Sequence, residues 1–359
     1  MLNEPARKNI LNRILEELLP LAAVPVALLI GAVMLLALKA NPWDAYRALF
    51  VGAFGDVSGL TQTLVKATPL LLVGLGVIIA FRGGVINIGG EGQIVVGALA
   101  ATALAVSFKT LPGWMLLPLC LFAGVIGGAI WGGIPGILKA RLGVNEILST
   151  VMMNAIAVQL ANYLLRGPMI DPKEILAGTR IAQSALLPRS VWLLRLVPRT
   201  QLHAGAIIAV VLAILVFIFL WRTTLGYRIR AVGLNPNAAR YAGIPVALYQ
   251  ALSLILGGAF AGLAGAVEVM GVQHRMVEGL SGGYGFSGIV AALFGSLHPL
   301  GLVPASVLFG GLLVGADQMQ RTVQVPSPLI TTLLGLIVLL VVSSKIWAVR
   351  RARRREINE

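Results

Sequence analysis

Cysteine and histidine are nearly absent from this chain: Cys120 sits alone in an apolar run, and His203, His274 and His298 are scattered. One thiol excludes a disulfide framework within the chain, and neither it nor the histidines have metal-ligand spacing. Charge is scarce as well. Only 12% of residues are charged, with 14 acids against 28 Lys and Arg. There is no Gly-rich segment ending in Gly-Lys-Ser or Gly-Lys-Thr, so nucleotide hydrolysis has no phosphate loop here. No paired-carboxylate motif or other set of convergent catalytic groups occurs either, and the chain is expected not to be an enzyme.

Apolar residues fill the space left by these absences. They make up 58% of the sequence, at a mean hydropathy of +0.90, far from soluble globular usage. Several runs approach the ~20 residues needed to cross ~30 Å of hydrocarbon. An all-α, polytopic transmembrane bundle in a lipid bilayer is therefore expected. Ten candidate spans are read: Leu18–Leu38, Leu60–Ala80, Ile88–Val106, Met115–Leu138, Ile147–Leu165, Ala204–Trp221, Leu248–Met270, Phe286–Leu297, Leu302–Ala316 and Leu329–Ile346. The formal charge of +14 does not point to nucleic acid, because the basic residues flank apolar spans instead of forming one face.

An even number of spans puts both termini on one side. With the N-terminus inside, sixteen Lys and Arg fall in cytoplasmic segments and five in short outer loops. Six more lie in the long loop 166–203, and Lys66 lies within a span. The short loops favour an N-in, C-in arrangement. The expected organisation is a cytoplasmic segment 1–17 and a transmembrane domain 18–346. The domain has a long outside loop 166–203 and a cytoplasmic loop 222–247, and a basic cytoplasmic tail 347–359 follows it. Polar residues from Asn3 to Asn12 open the chain, and no small-residue cleavage site follows the first apolar run. That start reads as a retained signal-anchor span.

The basic insert from Arg222 to Pro245 interrupts this apolar pattern. Asn235 can cap a helix whose first residue is Pro236, and Gly243 followed by Pro245 would stop it after about two turns. A helix this short is marginal alone. It reads either as a plug docking into a partner's groove or as a juxtamembrane loop whose arginines hold topology.

Two glycine-dense stretches break the spans, Arg82 to Gln93 and Glu278 to Gly288. Irregular backbone at membrane depth survives only when buried in protein or lining a cavity, so paired interruptions point to a translocation pathway; close helix packing is the other use of glycine. Polar residues accompany the first stretch: Asn87, Glu91 and Gln93. Glu91 could face the bundle interior, or it could accept hydrogen bonds at the broken helix end. Asn145 and Glu146 suit a helix N-terminus, and Asn154 further along the same helix is a pathway candidate. Glu268, followed by Gln273, His274 and Arg275, marks either the mouth of a pathway or interfacial polarity.

Four motifs carry a resemblance: Asn87-Ile-Gly-Gly-Glu-Gly-Gln93, Asn145-Glu-Ile-Leu-Ser-Thr-Val-Met-Met-Asn154, the run from Gly226 to Ile244, and Gly262-Leu-Ala-Gly-Ala-Val-Glu268. In this order they resemble the permease subunits of ABC-type importers in the branched-chain amino acid and simple-sugar superfamily. The likeness is strongest to the nucleoside branch, which works with binding lipoproteins of the basic-membrane-protein type. The resemblance implies a coupling helix that receives motion from a separate cytoplasmic ATPase, built around Arg228, Arg230, Asn235, Pro236, Ala238, Ala239, Arg240 and Gly243. It also implies a second homologous permease, an extracytoplasmic binding protein and a place in the bacterial cytoplasmic membrane. No cofactor is implied on this chain; ATP and Mg belong to the ATPase. Nucleosides are the implied cargo, with simple sugars or related small solutes as the alternative. An ion-coupled secondary carrier would need midplane carboxylates, whereas the acids here lie mostly near span ends.

Overall fold

A computed structural model describes residues 39–324 continuously, together with 26, 29–37, 332, 335, 336 and 339. The described residues are helical wherever they are regular, apart from two isolated β-bridges in loops. They form two compact units. Leu60–Gly311 makes up one, and the described parts of 1–59 and 312–359 the other.

In the smaller unit, α1 (Pro42–Phe54) starts where Asn41 accepts a hydrogen bond from the Trp43 N–H at 3.0 Å and Pro42 presets the first turn. Its Ala45 and Ala48 pack with Leu35, Ala316 and Met319.

The larger unit holds most of the apolar helices. They are α2 (Val57–Arg82), α3 (Gly90–Ser107), α4 (Gly113–Leu142) and α5 (Glu146–Arg166). After a loop containing the five-residue α6 (Pro172–Leu176) come α7 (Gly205–Arg222), α8 (Thr224–Leu234), α9 (Pro236–Tyr241) and α10 (Val246–Glu268). The last runs on through a π-helical segment, Val269–Gln273. Then follow α11 (Tyr284–Phe294) and α12 (Pro299–Val323), which continues into the smaller unit.

Seven of these, α2, α3, α4, α5, α7, α10 with its π segment, and α12, are long and apolar enough to cross a membrane. They match the second to seventh and the ninth expected spans. The eighth does not stand as a span: α11 has 11 residues, about 16 Å at 1.5 Å per residue and half of what hydrocarbon requires. The first and tenth expected spans lie outside the residues described continuously.

Glycine sets how closely the central helices approach. A Cβ on Gly262 of α10 would stand 2.2 Å from the Gly124 carbonyl oxygen and 2.7 Å from the Gly128 Cα, both on α4. At the same residue, a Cβ on Gly97 of α3 would lie 2.3 Å from the Gly262 Cα. In hydrocarbon, lipid tails match leucine for apolarity, so helices associate through close van der Waals contact that small residues permit. The same helix that brings these glycines together positions Glu268 at its end. Exposure then separates the helices: 83% of the apolar window of α2 is buried within the chain but only 17% of that of α5.

Gly262→Leu therefore wedges α3, α4 and α10 apart, an overpacking cost of about 1–3 kcal/mol or more. The expected outcome is a clear fall in the melting temperature of the detergent-purified permease. Gly133→Ala, whose Cβ would meet only the Ile255 side chain at 3.3 Å, serves as the mild control. Equal melting temperatures would contradict glycine-limited packing.

Candidate functional site

The first break falls between α2 and α3. Asn87 and Gln93 form a reciprocal amide pair: Asn87 Nδ2 donates to Gln93 Oε1 at 3.0 Å, and Gln93 Nε2 donates to Asn87 Oδ1 at 3.2 Å. Asn87 Oδ1 also accepts from the Gly89 N–H at 2.9 Å. Asn154 reaches over from α5, accepting from the Gly92 N–H at 2.8 Å and donating to the Ile88 carbonyl at 2.9 Å. The Thr150 hydroxyl accepts from the Ile88 N–H at 3.4 Å. An α-helix start leaves four N–H groups without intrahelical partners, and water is not at hand to satisfy them inside a bilayer. Asn87, Gln93 and Asn154, all candidates for a pathway wall, thus hold a helix end with their amides, and Asn87 and Gln93 are fully buried.

Glu91 differs from them. It is buried, its Oε2 has no hydrogen-bond partner, and its carboxyl faces Ser281 and the Gly285 and Phe286 N–H groups. The start of α3 and the start of α11 therefore meet at this side chain. A Cβ on Gly285 would lie 2.3 Å from the Glu91 backbone nitrogen, so only glycine lets the two helix ends touch. The two glycine-dense stretches, whose first residues Arg82 and Glu278 are 196 positions apart in the chain, form one junction.

A second buried carboxylate, Glu268, ends α10 just before its π segment and faces Lys66 of α2 and the Gln273 side chain. The Lys66 ammonium lies 5.6 Å from the centroid of the Tyr284 ring, at the first residue of α11. Lys66 and Tyr284 had no place among the candidate residues. A lysine inside an apolar run was the signal for the first; nothing in the sequence paired it with Tyr284.

The loop 166–203 covers this end. Ser184 donates its backbone N–H to the Met276 carbonyl at 2.9 Å, and Leu187 and Leu193 donate to His274 and Met270 carbonyls at 2.9 and 3.0 Å. Trp192 stacks on His274 with ring centroids 3.8 Å apart. Burial, with His274 nearby, pushes the His203 imidazole down to about 4. A neutral ring is what its local bond requires, since Nδ1 accepts from the Gly205 N–H at 3.1 Å.

At the opposite end of α7 lies the basic insert. Asn235 caps α9 as expected, accepting from the Asn237 and Ala238 N–H groups at 3.0 and 3.1 Å, and Gly243 after it has a φ of +76°. The insert holds one more helix than expected, α8, capped by Thr223, whose Oγ1 accepts from the Gly226 N–H at 3.1 Å. Arg228 donates to the Tyr249 hydroxyl at 3.0 Å, and Arg230 Nε donates to the Leu220 carbonyl at 2.9 Å. Arg82 and Arg230 both lie over the Trp221 ring, at 5.5 and 5.4 Å. Ala239 is buried, at 4% exposure, against this chain itself, so its small side chain belongs to internal packing. Pro236, Asn237, Ala238, Arg240 and Tyr241 stay exposed.

Apolar helices of spanning length, interrupted at a polar junction and flanked by a braced basic helical insert, define a membrane transport protein. The chain belongs to the family described as the permease component of the branched-chain amino acid transport system, whose model matches residues 59–343. It is 38% identical over 340 residues to the guanosine ABC transporter permease protein NupP of Bacillus subtilis, covering 94% of this chain and 96% of that one. It is 37% identical over 336 residues to the glucose ABC transporter permease protein TsgB13 of Haloferax volcanii, covering 91% and 87%. It is also 35% identical over 316 residues to the nucleoside ABC transporter permease protein NupB of Lactococcus lactis, covering 86% of each.

Because Asn154 satisfies two backbone groups of a broken helix end, Asn154→Leu leaves both unpaired, at about 1–3 kcal/mol each. Assembled permease and solute uptake are expected to fall together, measured as membrane abundance by immunoblot beside initial uptake rate. A loss of uptake at undiminished abundance would return Asn154 to the pathway wall.

Proposed function

We propose that the chain is the membrane-spanning half of an ATP-driven importer whose cargo is a nucleoside. What carries this reading is the family match, with a guanosine and a nucleoside permease among the relatives of highest identity. The glucose permease at nearly the same identity supports a simple sugar as the second reading.

In this reading the importer lies in the bacterial cytoplasmic membrane with about ten spans and both termini inside, so that the insert 222–247 is cytoplasmic. ATP and Mg2+ act on a partner ATPase, and an extracytoplasmic binding protein delivers the solute above the loop 166–203. A second permease pairs with this one. The thin burial of α5 supports that pairing, because its uncovered side carries Gln159 and Tyr163. A carboxamide facing lipid is costly and is relieved by a partner or an aqueous path.

Coupling runs through α9. Asn235, Pro236 and Gly243 shape this helix, and Arg228 and Arg230 brace α8 against α7 and α10. Ala238, Arg240 and Tyr241 form the face offered to the ATPase. Closure of the ATPase then moves α7 and α10 together through those braces. Inside the bundle, Glu91 and Glu268 face the solute, while Asn87, Gln93 and Asn154 keep the broken helix end in shape.

Orientation is tested by Asn237→Cys in a Cys120→Ala background. The thiol is expected to be blocked from an impermeant reagent added outside and to react in inverted vesicles; labelling from outside would refute the orientation. Coupling is tested at Ala238. An Asp in the first turn of α9 suits the helix dipole, so the permease should still fold. Buried unpaired against a partner, the carboxylate costs several kcal/mol. Expected are normal abundance and ATPase activity that no longer drives guanosine uptake; wild-type uptake would remove α9 from the interface.

A further inference from the structure

We propose that Arg82 and Arg230, held beside the Trp221 ring, form a binding site for the headgroup phosphate of an anionic phospholipid whose acyl chain lies along the exposed face of α7. The inference concerns the membrane around the permease and stands apart from the choice of cargo.

Backbone carbonyls fix both guanidinium groups. Arg82 donates Nε and Nη2 to the Leu297 carbonyl, and Arg230 donates Nε to the Leu220 carbonyl. The turn that presents the Leu297 carbonyl has left-handed φ at two non-glycine residues, +59° at Ser296 and +51° at Leu297, so Arg82 is anchored to a turn formed at some backbone cost. Nη1 of Arg82 and both terminal nitrogens of Arg230 donate to no group among the described residues. The two guanidinium carbons lie 5.5 and 5.4 Å from the centroid of one indole ring. The ion pairs among the described residues are Lys139 with Glu146 and Arg166 with Glu278, so neither arginine has a carboxylate beside it. Two cations brought to one ring repel, and an anion shared between them removes the repulsion. Phosphate oxygens fit the forked donors of arginine.

The surface leading to this ring is apolar. Ile207, Val211, Ile214 and Ile218 are all exposed and recur at steps of four and three residues, so they line one face of α7 that ends at Trp221. The other side of the helix, at Ala213, Val216 and Leu220, is buried in the chain. From Ile207 to Trp221 the stripe runs about 21 Å at 1.5 Å per residue, more than the ~15 Å that one leaflet contributes to the hydrocarbon. An acyl chain can follow it for its whole length, and a tryptophan at its end suits the headgroup level. A soluble phosphate would use none of this apolar surface. Zwitterionic headgroups would bring a cation of their own to the two arginines, whereas phosphatidylglycerol brings the phosphate charge alone, as basic pockets between membrane helices favour. Bound there, the lipid joins α2, α7 and α8 at the base of the basic insert.

The test offers the full-length permease, purified in a non-ionic detergent, mixed micelles holding phosphatidylglycerol and phosphatidylcholine in equal amounts, and counts retained lipid by native mass spectrometry. Retention is read without transport, so it is decided separately from the importer reading. The wild type is expected to retain phosphatidylglycerol about fivefold or more in preference, and Arg82→Gln and Arg230→Gln each to lower that preference about fivefold. Arg141→Gln, at the exposed end of α4, removes the same charge away from the ring and is expected to change nothing. Equal retention of the two lipids by the wild type would overturn the proposal without recourse to any variant. So would an equal fall in Arg141→Gln, which would reduce the preference to general attraction by a cationic protein. Excess inorganic phosphate is expected to leave the lipid in place; its displacement would make this a free-anion site and refute the lipid. If a Gln variant does not assemble, Ile218→Asp sets an acid one turn from Trp221 on the same face, and an unchanged preference there would equally refute the site.

Discussion

A backbone that stops being helical within hydrocarbon has no water to turn to, and each freed N–H or C=O must find a partner in the protein. That constraint explains the most buried polar residues of this chain. Asn87 and Gln93 bond each other, and Asn87 also takes the Gly89 N–H, while Asn154 takes the Gly92 N–H and the Ile88 carbonyl. With the start of α3 so fastened, Glu91 can be held at the junction with α11 while one of its oxygens stays free. Remove the network and the carboxylate has no fixed position.

Close helix packing serves the same end. Backbone-to-backbone approach of α3, α4 and α10 through Gly97, Gly124, Gly128 and Gly262 leaves little room for relative sliding. Closely packed interiors of this kind tend to move as bodies and not by continuous deformation. Arg228 ties α8 to Tyr249 near the start of α10, so the helical insert is fastened to the helix that ends at Glu268. Arg82 bonds the Leu297 carbonyl with Nε and Nη2 at 3.1 and 3.0 Å, and so links the end of α2 to the turn after α11. Both brackets lie beside the basic insert, where Arg82 and Arg230 share the Trp221 ring.

Polarity alone does not mark a pathway. Asn87, Gln93 and Asn154 have the composition expected of a pore wall, yet their hydrogen bonds are made within the chain. Glu91 and Glu268 share that burial, but one oxygen of Glu91 has no hydrogen-bond partner and Glu268 has a lysine nearby. Ala239 teaches the same lesson in the basic insert, where a small residue beside an exposed helix face turns out to pack inward.

The sequence by itself determined the helical membrane class, the positions of seven of the ten expected spanning helices, the cap and stop of α9 and the two interrupted stretches. Each of these depends on local chemistry: apolar length against bilayer thickness, an Asn before a Pro, a glycine that tolerates positive φ. The family, too, was legible, because its motifs are contiguous. Only the tertiary structure decided which polar side chains face one another. Lys66 and Glu268 lie some two hundred residues apart in the chain, and Glu91 meets Ser281 and Phe286 only because glycines at 90 and 285 let two helix ends touch. The helix α8 and the inward turn of Ala239 were likewise hidden, since both depend on surfaces that exist only once α7 and α10 have come together.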